Sequence, residues 1–141
     1  MKKIISTAEA PAAIGPYSQA VRVGSIIFCA GQVPLDPKTG QIVSEGIAEQ
    51  TRRVLDNVTA ILKSEKLTLA HVVKTTVFLV DFGDFQKMNE VYATYFTDQP
   101  PARSTVGVST LPKNARVEIE AIAIADESDA RSGKSVSDTS G

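Results

Sequence analysis

From Val117 to Ile122 the chain alternates without a break: Val117, Ile119 and Ala121 fall on one side of an extended backbone, Glu118, Glu120 and Ile122 on the other. Only a strand has that period of two, so this stretch belongs in a sheet and shows two carboxylates on a single face. Upstream, Pro100-Pro101 forbids a helix and favours extended backbone, and the residues after it put Arg103 and Thr105 on a common side of another strand. We read the two strands as joined by the turn Leu111-Pro112-Lys113-Asn114, which predicts that Arg103 and an acid meet if the strands lie close. Spacing alone favours a structural Arg–Glu pair or solvated charges, since such pairs are common and weak at surfaces. An arginine so placed also has the rigid, permanently charged fork that grips a planar carboxylate through two hydrogen bonds.

The remaining elements follow from punctuation and periodicity. Lys2 to Ser6 reads as a short edge strand, followed by a loop from Glu9 to Pro16 that is broken by prolines and a glycine and leads straight into Tyr17. Ser18 to Val23 and Ile26 to Ala30 read as strands around the tight turn Gly24-Ser25, with Gly31 ending the second. Asp36 to Gly40 is a turn. Ile47, Val54, Leu55, Val58, Ile61 and Leu62 recur at helical spacing between Ile47 and Lys66, giving an amphipathic helix that needs a surface to cover. Val72 to Val80 supplies a strand, with Val73, Thr75, Val77 and Leu79 on one face. A second helix is predicted from Asp84, as N-cap, to Phe96, with Met88, Val91, Tyr92, Tyr95 and Phe96 on its apolar stripe.

The order strands, helix, strand, helix, strands describes an α+β domain, a mixed sheet with both helices on one face. The open face of the sheet is expected to carry apolar positions such as Val77, Leu79, Ile119 and Ala121, and since a single layer of two helices covers the sheet on only one side, the other side wants a partner. At 141 residues a single domain is expected, over residues 1–125. Residues 126–141 are almost wholly polar and are expected to form a flexible extension.

A net charge of −1, with 15 basic and 16 acidic residues, provides no field for nucleic acid, which is not an expected partner. No apolar run approaches the ~20 residues needed to span a bilayer, and the first residues lack a secretory apolar core, so no membrane association and a cytoplasmic location are expected. The lone Cys29, in an apolar strand, is expected in the core, and the lone His71 at the surface. With one of each, far apart, the chain has no zinc or Cys–His constellation, and glycine-rich phosphate loops are absent.

Several motifs stand together in one order: IGPYSQA at Ile14–Ala20, AGQVPLDPKTG at Ala30–Gly40, LDNV at Leu55–Val58, VVKTTVFLVD at Val72–Asp81, MNEVYATYF from Met88, ARS at Ala102–Ser104 and LPKNARVEIEAIA at Leu111–Ala123. This set resembles the RidA/YjgF family of reactive-intermediate deaminases over nearly all of residues 1–125. The resemblance implies a chorismate-mutase-like fold, a homotrimer with sites between subunits, and metal-free, cofactor-free hydrolysis of 2-imino acids to 2-oxo acids and ammonia. Those substrates are the imine tautomers of enamines released by pyridoxal-phosphate-dependent serine and threonine dehydratases.

On the matching positions, the resemblance makes Arg103 the carboxylate-binding residue and Glu118 the group that positions or activates water. Glu120, two residues on and on the same face, is the rival for that second role. Tyr17, Gly31 and Asn89 are the matching cleft residues, Gly31 because a missing side chain lets a ligand approach the backbone. Two positions depart from the family's pattern: Thr105 stands where several members have cysteine, and Ala30 where many have serine. Imine hydrolysis needs no covalent nucleophile, so Thr105 is expected to line the site without attacking anything. The competing readings are a non-catalytic protein that senses small carboxylates through the same arginine, and RNA binding or cleavage, for which the chain offers no basic stripe.

Overall fold

The computed structural model describes residues 1–126, so the expected polar extension lies outside the described residues except for Asp126. The alternating stretch becomes β6 (Val117–Ile124), the strand on which the sheet is built. Its residues Val117, Ile119, Ala121 and Ala123 are buried, while Glu118, Glu120, Ile122 and Ile124 face the other way. Around it stand β1 (Lys2–Ile5), β2 (Ala20–Val23), β3 (Ile26–Gln32), β4 (Val72–Leu79) and β5 (Ala102–Gly107), in the order β1-β2-β3-β6-β4-β5. Among the described residues only the β4–β5 pair is parallel, and it is joined through a helix, the crossover that parallel neighbours require.

The helices α1 (Ile47–Lys63) and α2 (Phe85–Tyr95) form one layer against one face of the sheet. Val54, Leu55, Val58, Ile61 and Leu62 of α1 and Met88 and Tyr92 of α2 share a core with Ile27, Val77, Leu79 and Ile119. The expected α+β architecture, a mixed sheet with two helices on one face, is therefore the one found.

The apolar residues expected on the uncovered face are placed differently. Val77, Leu79, Ile119 and Ala121 all point into the helix layer, because β4 and β6 pair with those residues in register on the same side. The bare face instead exposes Ile4, Val23, Ile26, Phe28, Val106 and Ile124, and it is apolar enough to call for cover by other means. Val73 also leaves its expected row: an irregularity between Val72 and Lys74 buries Val72 and exposes Val73.

The hairpin expected between Arg103 and Glu118 does not form. β4 lies between β5 and β6, and the Leu111–Asn114 segment carries the chain from the edge of the sheet to its centre, with Lys113 and Asn114 both left-handed at φ 60° and 57°. In β5, Arg103 pairs with Thr75 and Thr105 with Val77, residues whose side chains enter the helix layer. Glu118 pairs with Phe78 on the opposite face. Two arrangements that both look like a shared face in sequence are thus separated by the sheet itself.

Asp84 occupies the N-cap position of α2 but makes no capping bond. Its carboxylate is taken by Arg116, whose Nη2 and Nε donate to it at 2.8 and 3.1 Å, while Nη1 donates to the Glu45 carbonyl at 2.9 Å and the Arg116 amide to Gln50 Oε1 at 2.8 Å. This fork joins the start of β6 to both helices, with the Asp84 side chain only 10% exposed. Arg116→Ala leaves that carboxylate nearly buried without its partner and is expected to lower unfolding free energy by about 2 kcal/mol, measured in urea, against about 0.5 kcal/mol for an ordinary surface pair.

Candidate active site

Glu118 projects from β6 on the bare face, beside a bulge in β3. Between the pairs Cys29–Ala121 and Gln32–Ile119, two residues, Ala30 and Gly31, stand opposite the single residue Glu120. The bulge brings Gly31 under the Glu118 side chain so closely that a methyl group there would fall on its carboxylate, 2.8 Å from Cδ. Glycine is therefore needed at this position for the carboxylate to lie where it does. Partial burial, and secondarily the charge of Glu120, push the Glu118 carboxyl above the usual glutamate range.

Over this carboxylate lies a pocket of about 340 Å³, walled mainly by apolar residues that include Ala12, Ile14, Tyr17, Ala30, Val33 and Pro112. Its walls are loops, fixed by buried amides. Gln19, 4% exposed, accepts from the Thr7 amide at 2.7 Å and donates to the carbonyls of Thr7, Ala10 and Pro11 at 3.0, 3.3 and 2.8 Å. Asn57 of α1 donates to the carbonyls of Val33 and Leu35 at 3.2 and 3.1 Å. Tyr17 is half-exposed at the pocket mouth, and its hydroxyl accepts from the Ile14 amide at 3.3 Å.

The other candidate residues gather on the far side of the sheet. Arg103 lies over the Tyr92 ring, 4.8 Å from its centroid, and 5.7 Å from that of Phe85. Among the described residues no carboxylate pairs with it. The Thr105 hydroxyl, on the same face of β5, and the Asn89 side-chain oxygen on α2 are both buried without a hydrogen-bond partner among the described residues. Asn89 also lines a shallow depression with Phe85, Gln86 and Glu90. A buried polar atom without a partner costs free energy, so two of them near an unpaired arginine suit a site that expects a polar ligand.

The sequence-derived residues therefore separate into two groups, Tyr17, Gly31 and Glu118 on one face and Asn89, Arg103 and Thr105 on the other. Gln19, Asn57 and the aromatic neighbours of Arg103 were not singled out by the sequence reading. For the aromatics a signal exists, since Phe85, Asn89 and Tyr92 fall at i, i+4 and i+7, one stripe of a helix. Cys29 is buried as expected, which pushes its thiol up to about 12. His71, expected at the surface, is partly buried: its Nδ1 accepts from the Thr68 amide at 3.1 Å and its Nε2 lies 3.6 Å from Asp126. Among the described residues no group of three or more His, Cys, Asp or Glu side chains comes together, and no helix is long and apolar enough to cross a membrane.

Residues 7–125 match the family described as endoribonuclease L-PSP. A RutC family protein of Pyrococcus horikoshii is 56% identical over 87% of this chain and 98% of its own length. A 2-iminobutanoate/2-iminopropanoate deaminase of Mus musculus is 52% identical over 88% of this chain and 92% of its own. A Thermotoga maritima crystal structure, of a protein put forward as an endoribonuclease, superposes with a TM-score of 0.87 at 52% identity, covering 89% of this chain and 99% of that one.

The raised pKa of Glu118 has a consequence for stability. A carboxyl whose folded-state value lies above its unfolded one favours folding at low pH and loses that contribution as pH rises through the folded value, so the ionised form is a burden at neutrality. Glu118→Gln keeps the shape without the charge and is expected to be more stable than the wild type at pH 7, with the advantage shrinking towards about pH 4. Urea unfolding at both values checks this, and a variant less stable than wild type at pH 7 would contradict it.

Proposed function

The chain belongs to the endoribonuclease L-PSP family, also called RidA/YjgF, and on that footing we propose that it is an imine deaminase, hydrolysing 2-imino acids to 2-oxo acids and ammonia in the cytoplasm. The observation that carries the reading is the division of the site. Among the described residues, one face offers an arginine without an acid partner beside two polar atoms without hydrogen-bond partners; the other offers a half-buried carboxylate over a glycine and beneath an apolar pocket. Neither half is a catalytic site alone. In the proposed assembly the Arg103 edge of one copy meets the Glu118 face of the next, and the apolar residues of the bare sheet are covered in the same contact.

The two patches differ, so the contact is head-to-tail, and such contacts close into rings rather than two-fold dimers. A ring of three is the form the family resemblance implies. It also accounts for the bare sheet, whose Phe28, Ile26 and Ile124 would line the inside of the ring.

In the proposed reaction Arg103 grips the substrate carboxylate through both of its donor edges and sets the neighbouring C=N carbon against the pocket. Glu118 of the adjoining copy, ionised, accepts a proton from water as the oxygen bonds to that carbon in the protonated imine, C=NH₂⁺, whose C=N electron pair moves to nitrogen. The carbinolamine so formed carries –OH and –NH₂. Glu118 returns the proton to nitrogen, the C–N bond breaks with its electron pair going to nitrogen, and ammonia leaves as the hydroxyl proton passes to the Glu118 carboxylate and on to solvent, giving the 2-oxo acid. A carboxyl pushed above its usual range serves both transfers better than an ordinary one. The Asn89 oxygen is an acceptor suited to the imine N–H, and Thr105 contributes its hydroxyl without forming a covalent bond. The family's descriptive name points to RNA, but a chain of net charge −1 has no electrostatic attraction for a polyanion.

Purified protein added to a pyridoxal-phosphate-dependent threonine dehydratase and threonine is expected to speed the ultraviolet decay of the imine. Arg103→Ala is expected to lower kcat/KM by at least about 100-fold, the cost of removing one partner of a charged pair. The acid limb of the pH–rate profile should lie above the ordinary glutamate value, and Glu120→Gln should move it to lower pH without bringing it fully back, because burial is the larger cause. No acceleration by the wild type, or full activity in Arg103→Ala, would overturn the reading; oxo-acid binding without turnover would instead favour a carboxylate sensor.

A further inference from the structure

Among the described residues, Arg103 is held by its neighbours without being neutralised by a carboxylate. Buried or half-buried arginines are usually oriented by an acid, but that arrangement uses the very donors a ligand would need, and a substrate carboxylate would have to displace a protein one. Here the neighbours are rings. The guanidinium carbon lies 4.8 Å from the Tyr92 centroid and 5.7 Å from that of Phe85. Both rings are themselves held: the Tyr92 hydroxyl shares a 2.7 Å hydrogen bond with Thr75 and its ring packs 4.6 Å from Phe96, while Phe85 stacks on Phe82 at 5.1 Å and 13°. Aromatic faces attract a cation through their quadrupole and accept no strong N–H bond; the Tyr92 hydroxyl also lies near the guanidinium, but among the described residues no carboxylate takes its donors, which leaves the fork available to an anionic ligand.

We propose that Tyr92 and Phe85 are positioning residues for Arg103, holding its fork ready for a ligand carboxylate. This rests on the reading of Arg103 as the carboxylate-binding group. An arginine free to rotate surrenders its rotamers each time it binds; one already held by rings does not, and the gain appears in binding rather than in the chemical step. The Thr75–Tyr92 bond belongs to the core, whereas the ring face, with a lesser contact from the hydroxyl, belongs to Arg103, so stability and ligand binding should respond mainly to different parts of the same residue.

The test uses the full chain, 2-oxobutanoate as titrant, the coupled imine assay, and the NMR signal of the Arg103 Nε–H group. Tyr92→Leu is expected to weaken 2-oxobutanoate binding and raise KM by about tenfold, with kcat changed by less than about threefold. Phe85→Leu is expected to do the same by about threefold, and carries the test if Tyr92→Leu does not fold. Tyr92→Phe keeps the face and loses the hydroxyl, so binding and KM should return to within about twofold of wild type while the melting temperature falls by about 3 °C. The Arg103 signal should be ring-shifted and rigid in wild type and Tyr92→Phe, and move towards that of a free side chain in Tyr92→Leu and Phe85→Leu. The proposal is overturned if folded leucine variants bind like wild type, if Tyr92→Phe loses as much binding as Tyr92→Leu, or if the wild-type signal is that of a free arginine. Absence of imine turnover with this binding pattern intact would sink the deaminase reading and leave the positioning role standing. If wild type binds no 2-oxobutanoate, the carboxylate reading falls, and with it the readiness of the fork, whatever the Arg103 signal shows.

Discussion

The constraint on which this structure depends is that, among the described residues, a six-stranded sheet is covered by helices on one side only. Alternation in β6 commits Val117, Ile119, Ala121 and Ala123 to the core, and by the geometry of a strand it commits Glu118 and Glu120 to the uncovered face. The same geometry in β5 sends Arg103 and Thr105 towards α2. No rotation within one folded chain brings Arg103 and Glu118 together, because each is fixed by the strand that carries it. The proposed function therefore belongs to a contact between chains rather than to the single chain.

That displacement explains features that look like defects in isolation. Exposed Phe28, Ile26 and Ile124 are a solubility hazard on a lone domain, and the orphaned Asn89 and Thr105 atoms are a cost. The raised Glu118 is another. Each becomes reasonable if the two faces are halves of one site. Much of the remaining structure serves to hold those halves still: Gln19 and Asn57 tie the loops around the pocket, the β3 bulge opens space for the Glu118 carboxylate, and the aromatic neighbours hold Arg103.

What the sequence made legible was set by local periodicity. Strands with a period of two and helices at 3.6 were placed to within a few residues, since these patterns record which face meets the core. Turn residues likewise marked the ends of strands. What it did not show was pairing at a distance. The segment Leu111–Asn114 has the composition of a tight turn, yet nothing in it reveals that β4 will be inserted between the strands it seems to join. The assignment of Val77 and Ile119 to the bare face failed for the same reason, because which side the helices take is decided by the whole sheet. The clamps made by Gln19 and Arg116 were equally invisible: an amide or a guanidinium looks the same in sequence whether it faces water or closes a loop.

The most direct measurement is complementation between two inactive variants. Arg103→Ala and Glu118→Gln are unfolded together, refolded as an equal mixture, and assayed for imine hydrolysis. If sites form between copies, with Arg103 from one and Glu118 from the next, random assembly leaves about a quarter of the sites intact, and about a quarter of wild-type activity should return. If each site lies within one chain, every site in the mixture carries a lesion, activity stays at the level of the separate variants, and the account of a divided site is wrong.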